Sequence, residues 1–322
     1  MSTSKPLLSI RGLSIDYYTL SGIIHAVRKV DLELCSGESL CIVGESGSGK
    51  STLGVALSLA LPLNAVVKSG SIIYNDIDLL RARRDVIDKI KGREITMIFQ
   101  DPLATFSPLH TIGEHLEDIA ISKLGISKRE ASNIVVDVLK KVRMPDVDRV
   151  LKSYPHELSG GMLQRAAIGA AILTKPKIIV ADEPTSMLDA TIQAQILSLL
   201  KELVRSEGTS LVLITHNLGV ALRVCEKTAI MYAGVIVEDG STLDIIKEPL
   251  HPYTKSLLAS IPRSSHRVSR IIHIQGEPLD PRLEVSGCPF ANRCPSARDK
   301  CFESVDYVKI GDRRVYCNLY SR

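Results

Sequence analysis

The chain has 322 residues, of which 45% are hydrophobic and 24% are charged, which suits a globular protein of one large or two modest domains. No apolar stretch reaches the roughly 18 residues that span a bilayer, and residues 1–6 lack the apolar segment of a signal peptide, so we expect a cytoplasmic protein. The net charge of +4 arises after residue 261, because residues 1–261 carry 29 charges of each sign. Without a visible basic face, no nucleic-acid partner is expected.

The distribution of apolar residues predicts an α/β fold with a parallel sheet. Residues 7–37 alternate between apolar and polar side chains, which indicates an antiparallel β region, and the apolar run 40–43 indicates a buried strand. The remaining predicted strands lie at 69–79 (a pair), 95–99, 178–181, 211–215 and 235–238, and the predicted helices lie from 53, at 111–152, at 166–173 and at 190–206. Alternation of apolar strands with helices is typical of a parallel sheet.

A glycine-rich turn lies between the strand at 40–43 and the helix that follows it. Residues 44–52 read GESGSGKST, which matches the phosphate-binding pattern G-x-x-x-x-G-K-[ST] in its strand–turn–helix context. The glycines allow successive backbone N–H groups to point at one anion, Lys50 would reach the β- and γ-phosphates, and Ser51 would offer a hydroxyl to Mg²⁺. The predicted phosphate-binding residues are Gly44, Ser46, Gly47, Ser48, Gly49, Lys50, Ser51 and Thr52. The turn predicts a nucleotide-binding protein.

Two adjacent carboxylates end the predicted strand at 178–181. Side chains alternate along a strand, so Asp182 and Glu183 are expected to have different tasks. Asp182 would hold Mg²⁺ through water, and Glu183 would orient and polarise the attacking water. Together with the glycine-rich turn, this pair predicts ATP hydrolysis.

The run 158–165, LSGGMLQR, precedes an Ala-rich helix, and here the chain resembles the ATP-binding subunits of ABC transporters. In that family the turn covers the γ-phosphate of ATP bound to a partner subunit. The resemblance therefore implies that Ser159, Gly160, Gly161 and Gln164 act in trans. It also implies the ABC-type P-loop NTPase fold, with a parallel-sheet core, an antiparallel β subdomain and a helical subdomain at about 101–173.

Further family motifs occur in the expected order. The resemblance implies that Tyr17 stacks on adenine and that Gln100 contacts Mg²⁺ and the attacking water, alongside Ser51 and Asp182. It implies that residues 186–189 communicate across the dimer and that His216 contacts the γ-phosphate. The expected catalytic residues are Glu183, His216, Lys50 and Gln100.

The end of the chain is similar to the C-terminal extension of the oligopeptide/dipeptide/nickel uptake ATPases, with matching runs at 251–262, 275–278 and 287–295. Residues 14–27 resemble the first of that family's two ATPase paralogues. The resemblance implies a heterodimer with the second paralogue, two membrane permease subunits and an extracellular solute-binding protein, at the cytoplasmic face of the cell membrane. Peptide is the expected substrate, with oligosaccharides and nickel as alternatives.

A soluble ABC-type ATPase acting on DNA or ribosomes is a remote alternative, because the chain has one ATPase core and no sustained heptad run.

Composition changes near Pro262, which predicts an ATPase domain at 1–261 and a Cys-rich extension at 262–322.

Four of the seven cysteines crowd into the extension, at Cys288, Cys294, Cys301 and Cys317. Cytosolic disulfides are disfavoured, so the cluster suggests a metal site, and four thiolates suit Zn²⁺ or an iron–sulfur cluster. The spacing lacks the C-x2-C pair usual for structural zinc, and the resemblance implies a [4Fe–4S] cluster; zinc, unligated thiols and disulfides stay open. The other cysteines, Cys35, Cys41 and Cys225, lie in core-like segments and are interpreted as small buried hydrophobic residues.

Overall fold

A computed structural model of the chain describes residues 5–260 and 274–321, so the predicted boundary near Pro262 lies outside the described residues. The strands are β1 (Leu8–Thr19), β2 (Gly22–Leu34), β3 (Ser39–Val43), β4 (Ala65–Tyr74), β5 (Ile77–Asp78), β6 (Ile95–Ile98), β7 (Ile178–Asp182), β8 (Ser210–Thr215), β9 (Lys227–Tyr232), β10 (Val235–Ser241), β11 (Tyr307–Ile310) and β12 (Arg313–Tyr316). The α-helices are α1 (Lys50–Leu57), α2 (Arg84–Ile90), α3 (Ile112–Leu124), α4 (Lys128–Lys141), α5 (Val147–Lys152), α6 (Gly160–Ile172), α7 (Ala190–Glu207), α8 (Leu218–Val224), α9 (Thr242–Lys247), α10 (Pro252–Ala259) and α11 (Lys300–Glu303).

The first sheet is antiparallel, with the strand order β2-β1-β4-β5, as the alternation in residues 7–37 predicts. Its inward face carries fully buried residues such as Leu13, Ile15 and Val27. These pack in one apolar cluster with Leu53 and Leu57 of α1. The antiparallel sheet thereby covers the helix that begins at the glycine-rich turn.

The second sheet has the order β11-β12-β10-β9-β3-β8-β7-β6. Within it β9, β3, β8, β7 and β6 run parallel, which confirms the predicted parallel core. Because the carboxyl ends of parallel strands meet at one edge, the residues that follow β3, β6, β7 and β8 are placed there together. This edge forms the candidate site.

The predicted helical stretch at 111–152 forms three helices, α3, α4 and α5, and α6 packs against α3 and α4. Capping boxes begin α3 at Thr111 with Glu114 and α4 at Ser127 with Glu130, which satisfies the free N–H groups of each first turn. Gly125 ends α3 in the left-handed conformation (φ 69°). These local signals divide one helical run into separate helices, and α6 joins the group to the sheet through its contacts with β6.

The Cys-rich extension is joined to the ATPase sheet. The hairpin β11–β12 pairs with β10, with Glu238 opposite Val315. Arg314 makes a two-point ion pair with Asp239, whose atoms lie 2.9 and 3.1 Å apart. The extension therefore lengthens the main sheet at its edge.

Two cysteines interpreted as simple core residues are linked. Cys41 on β3 and Cys225 at the end of α8 form a disulfide, with Cα atoms 5.7 Å apart. Both residues are buried, as interpreted from the sequence, but their disulfide was not predicted, because a separation of 184 residues hides their proximity. Cys35 is a free, half-buried thiol.

Candidate nucleotide-binding and hydrolysis site

The turn between β3 and α1 has a backbone that requires glycine. Gly47 and Gly49 have φ values of 77° and 98°, in the left-handed region. A Cβ atom on Gly49 would lie 2.1 Å from the carbonyl oxygen of Ala26, and one on Gly44 would lie 2.1 Å from that of Met231. Neighbouring backbone thus packs against the turn from two sides. The N–H groups of the turn lie at the N-terminus of α1, where they can bind an anion.

Lys50 is held inside this turn. Its side chain is buried, and Nζ donates hydrogen bonds to the Glu45 carbonyl oxygen at 2.7 Å and to Ser48 Oγ at 3.4 Å. Burial lowers the pKa of Lys50, while the carboxylates of Glu183, Asp182 and Glu45 raise it. The ammonium group is therefore pre-positioned in an acidic surrounding, where phosphate oxygens could replace its present partners.

Asp182 and Ser51 form the candidate Mg²⁺ site. Burial raises the pKa of Asp182, and a hydrogen bond with Ser51 lowers it. The Oδ1 atom of Asp182 is buried and has no hydrogen-bond partner among the described residues. A buried carboxylate oxygen left free beside a hydroxyl suits a hard cation, so the residues present fit Mg²⁺.

The predicted general base lies where three strand ends meet. Glu183 follows β7 with φ 43°, a conformation uncommon outside glycine and frequent at functional sites. Its Oε1 atom lies 3.1 Å from Nδ1 of His216, and its Oε2 atom accepts a 3.5 Å hydrogen bond from Nε2 of Gln100. The structure thus brings Gln100 and His216 to the carboxylate of Glu183.

The family signature begins α6. Ser159 caps this helix by accepting a 3.4 Å hydrogen bond from the Met162 N–H, and both Ser159 and Gly160 are exposed. A Cβ atom on Gly161 would lie 2.9 Å from Ile192 Cγ2, so the turn also packs closely against α7. Ser159 and Gly160 are therefore accessible to a nucleotide on another subunit.

Gln164 of the signature is buried in the single chain. Its side chain is 2% exposed, and its Nε2 atom is buried without a hydrogen-bond partner among the described residues. Residues on most sides of α6 are buried by neighbouring elements, which leaves this side chain no route to the surface. In the single chain Gln164 therefore belongs to the packing of α6, and its contact with a nucleotide in trans stays a prediction.

Two further predicted elements can be located in the fold, and their roles stay predictions. The loop at 186–189 is tied to the general base, since Ser186 Oγ donates a 3.1 Å hydrogen bond to the Glu183 carbonyl oxygen, and Asp189 caps α7. Tyr17 is half-buried on β1, opposite Ile24 of β2 and Ala65 of β4. Adenine stacking by Tyr17 stays a prediction.

The extension cysteines are Cys288, Cys294, Cys301 and Cys317, and all four are free thiols. Burial chiefly, with smaller contributions from the neighbouring Cys317, Cys294 and Cys301, raises the pKa of Cys288 to about 12, so the thiols lie near one another. Across residues 5–260 and 274–321, no three His, Cys, Asp or Glu side chains are grouped in a way that could hold a metal ion. The predicted iron–sulfur or zinc site therefore gains no direct support from these side-chain positions.

Contacts between the extension and the phosphate-binding turn were not predicted. Arg293, which directly precedes Cys294, pairs with Glu45 inside the turn, and the hydroxyl of Tyr253 accepts a 2.9 Å hydrogen bond from the Glu45 N–H. An acidic residue at a variable position of the turn and an arginine among cysteines are visible in the sequence. Nothing in the sequence joins two residues 248 positions apart.

No helix in the described part of the chain is long and apolar enough to cross a membrane.

Comparison with known proteins agrees with this geometry. Residues 27–186 match the ABC transporter family, and residues 237–301 match the C-terminal region of the oligopeptide/dipeptide transporters. The chain is 43% identical to the dipeptide transport ATP-binding protein DppD of Bacillus subtilis, over 92% of this chain and 89% of that protein. It is 40% identical to the oligopeptide transport ATP-binding protein OppD of Salmonella typhimurium, over 92% and 88%.

Among solved structures, the dimeric bacterial ABC transporter cassette MJ0796 superposes with a TM-score of 0.66 and 30% identity, covering 73% of this chain and 98% of that one. A post-hydrolysis state of the same cassette, bound to ADP and Pi, has the same TM-score with 29% identity. The fold, the assembled strand ends and these relatives agree that the chain is an ATPase of the ABC transporter family, with the C-terminal region of its oligopeptide/dipeptide branch.

Proposed function

We propose that this ATPase energises the uptake of di- or oligopeptides across the cytoplasmic membrane. The observation that carries the proposal is the meeting of Lys50, Asp182, Glu183 and His216 at one edge of the parallel sheet. Peptide is favoured as cargo because relatives similar over most of the chain are named dipeptide and oligopeptide transport proteins. Oligosaccharides and nickel are the alternatives to be tested.

The chain's own residues divide the hydrolysis between them. The turn at 44–52 and Lys50 bind the phosphates, while Ser51, Asp182 and Gln100 would hold Mg²⁺, which supplies charge neutralisation on the β- and γ-phosphate oxygens. Glu183 accepts a proton from the attacking water. His216 and Gln100 hold this carboxylate in place through the 3.1 and 3.5 Å contacts.

The complete site needs a second chain. Ser159 and Gly160 are exposed at the start of α6, whereas the phosphate-binding turn precedes α1, which packs on β7 and β8. Two ATPase subunits joined head to tail would each cover the other's nucleotide. The second subunit is proposed to be the paralogous ATPase, which would give a heterodimer with two composite sites.

Apolar side chains near the end of β6 support docking to permease subunits. Phe99, Leu103 and Leu109 are 41%, 52% and 80% exposed in the loop after Ile98. Exposed apolar groups of this size suit contact with a partner protein. We place the chain at the cytoplasmic face of the membrane, on two permease subunits that receive cargo from an extracellular solute-binding protein.

The cargo proposal is tested by uptake into proteoliposomes that contain this chain, its paralogue and the two permease subunits, with the solute-binding protein outside and ATP inside. Labelled dipeptide and oligopeptide should accumulate only with ATP, and a labelled oligosaccharide and nickel ions should not. Accumulation of oligosaccharide or nickel, with no peptide uptake, would reject peptide as the cargo. Activity that depends on DNA or ribosomes and not on permeases would favour the soluble class.

We also propose that the four extension cysteines hold a [4Fe–4S] cluster with a structural or redox-sensing role. They are free, and Cys288 lies near the other three. Such a cluster takes one thiolate per iron and therefore separates its ligands more widely than a single ion does. The proposal rests on the proximity of the four thiols and on the resemblance, since no group of three or more metal-binding side chains is found among the described residues.

Protein purified without oxygen should be brown, with about four irons per chain and a broad absorption near 400 nm. Cys294→Ser should remove the colour, whereas Cys35→Ser, which alters a free thiol outside the extension, should retain it. Both variants keep Lys50 and the glycine-rich turn, so both should still bind ATP, and Cys294→Ser should bind it more weakly because Cys294 adjoins Arg293, which contacts the turn. If the anaerobic protein is colourless and contains one zinc per chain, the four cysteines bind zinc and the cluster is rejected.

A further inference from the structure

An arginine of the Cys-rich extension lies against the phosphate-binding turn. Arg293 ends a short 3-10 segment between Cys288 and Cys294. Its Nη1 atom donates to Glu45 Oε2 at 2.9 Å, and its Nη2 atom donates to Glu45 Oε1 at 3.4 Å. The side chains of Arg293 and Glu45 are 6% and 28% exposed, so the ion pair is largely removed from water. Such two-point, desolvated pairs fix geometry far better than exposed ones.

The guanidinium group of Arg293 is fully used. Besides Glu45, it donates to the carbonyl oxygens of Gln275 at 3.0 Å and Ile274 at 3.3 Å, and to the Tyr232 hydroxyl at 3.2 Å. Its central carbon also lies 5.7 Å from the ring centre of Tyr232 and 5.9 Å from that of Phe290. One side chain thus ties the 274–275 segment and the cysteine loop to the ATPase core, and lysine could not reproduce this set of contacts.

Glu45 is held at every polar group. Arg293 holds its carboxylate, the Tyr253 hydroxyl accepts from its N–H at 2.9 Å, and its carbonyl oxygen accepts from Lys50 Nζ at 2.7 Å. The residue that holds the phosphate-binding lysine is therefore itself held by two residues from the C-terminal part of the chain. A shift of Glu45 would move the Lys50 ammonium and the N–H groups that follow Glu45 in the turn.

We infer that Arg293 is a positioning residue for ATP binding: by holding Glu45 it keeps the turn and Lys50 in phosphate-binding geometry, so that ATP affinity depends on the docked extension. The inference rests on the proposed ATP site at residues 44–52. By linkage, ATP must stabilise the docked extension by the same factor by which the docked extension strengthens ATP binding. The extension is thus coupled to the nucleotide site without contributing a group to the chemistry.

Replacing Arg293 tests this coupling. Arg293→Met removes the ion pair but keeps an unbranched side chain, and it should weaken binding of a fluorescent ATP analogue by about 10-fold, within the range typical of coupled sites. Glu45→Gln should weaken binding similarly, and the double variant should be little weaker than either single one. Arg298→Met, an exposed arginine of the same extension, is the matched control and should bind as the unchanged protein does.

Hydrogen exchange provides a readout that a purely structural role would not give. Bound ATP should slow exchange of residues 288–294 in the unchanged protein and in Arg298→Met, and it should lose this effect in Arg293→Met. If Arg293→Met does not fold, Arg293→Lys serves in its place, because it keeps the charge and should still weaken ATP binding.

Three results would overturn the inference: full ATP affinity in a folded Arg293 variant, independent additive effects of the Arg293 and Glu45 changes, or exchange of 288–294 that is unaffected by ATP in the unchanged protein. Lys50→Ala distinguishes failure of the proposed ATP site from failure of the positioning role of Arg293. ATP binding that survives Lys50→Ala would reject the proposed ATP site itself. Binding that needs Lys50 but is indifferent to Arg293 would reject only the positioning role.

Discussion

Glu183→Gln is expected to lower ATP hydrolysis by roughly 100- to 10,000-fold, the usual cost of removing one positioned base. Glutamine keeps the size of the side chain and can still bond to Gln100 and His216, which lie 3.5 and 3.1 Å from the carboxylate oxygens. It cannot accept the proton of the attacking water. ATP binding should persist, because Lys50, Ser51 and Asp182 are unchanged, and the closed dimer should therefore accumulate.

The measurement for this variant pairs phosphate release with equilibrium binding of an ATP analogue in the assembled complex. Glu202→Gln is a suitable control, because it also changes a glutamate to a glutamine but lies on the exposed side of α7. There Glu202 forms an ion pair with Arg143 at 2.6 Å. The control variant should hydrolyse ATP at the unchanged rate. Near-normal turnover in Glu183→Gln would reject Glu183 as the base and would make His216 the next candidate for that role.

Short-range patterns predicted most of the ATPase core. The alternation in residues 7–37 predicts the β1–β2 pair, and the apolar runs before Gly44 and Asp182 predict β3 and β7, because burial in a two-sided sheet requires such runs. Once those strands are parallel, their ends must meet, so the motifs that follow them are brought together. The candidate site could thus be assembled from local sequence together with the resemblance.

The extension was harder to predict. The hairpin β11–β12 has four residues in each strand, and Arg313 and Arg314 interrupt any apolar alternation. Its place beside β10 depends on the Arg314–Asp239 ion pair and on Val315, which is fully buried. Contacts of this kind join distant parts of the chain and leave no periodic signal.

The orientations of individual side chains could not be predicted from the sequence either. The signature motif does not reveal that the side chain of Gln164 is buried among the neighbours of α6. The pattern of the glycine-rich turn predicts no role for Glu45, because this position of the pattern accepts many residue types. Only the fold shows the pairing of Glu45 with Arg293. Local motifs define the chemistry of the site, whereas long-range packing decides which neighbours hold it.

The isolated chain should be a weak ATPase, and this is the second large effect expected. Ser159 and Gly160 are exposed at the start of α6, and we propose that they contact a nucleotide held by another subunit. The chain alone therefore lacks half of each composite site. Hydrolysis by the single chain should be slow and should rise with protein concentration as dimers form.

The central claim is that this chain hydrolyses ATP as one half of a transporter's paired ATPase, and the most direct test is phosphate release before and after addition of the paralogue and the two permease subunits. We expect a large increase on assembly, and loss of that increase when Glu183→Gln replaces the unchanged chain. Ser159→Arg, which blocks the exposed signature turn, should also suppress the increase while leaving ATP binding at Lys50 intact. Full, concentration-independent hydrolysis by the purified single chain would contradict the account.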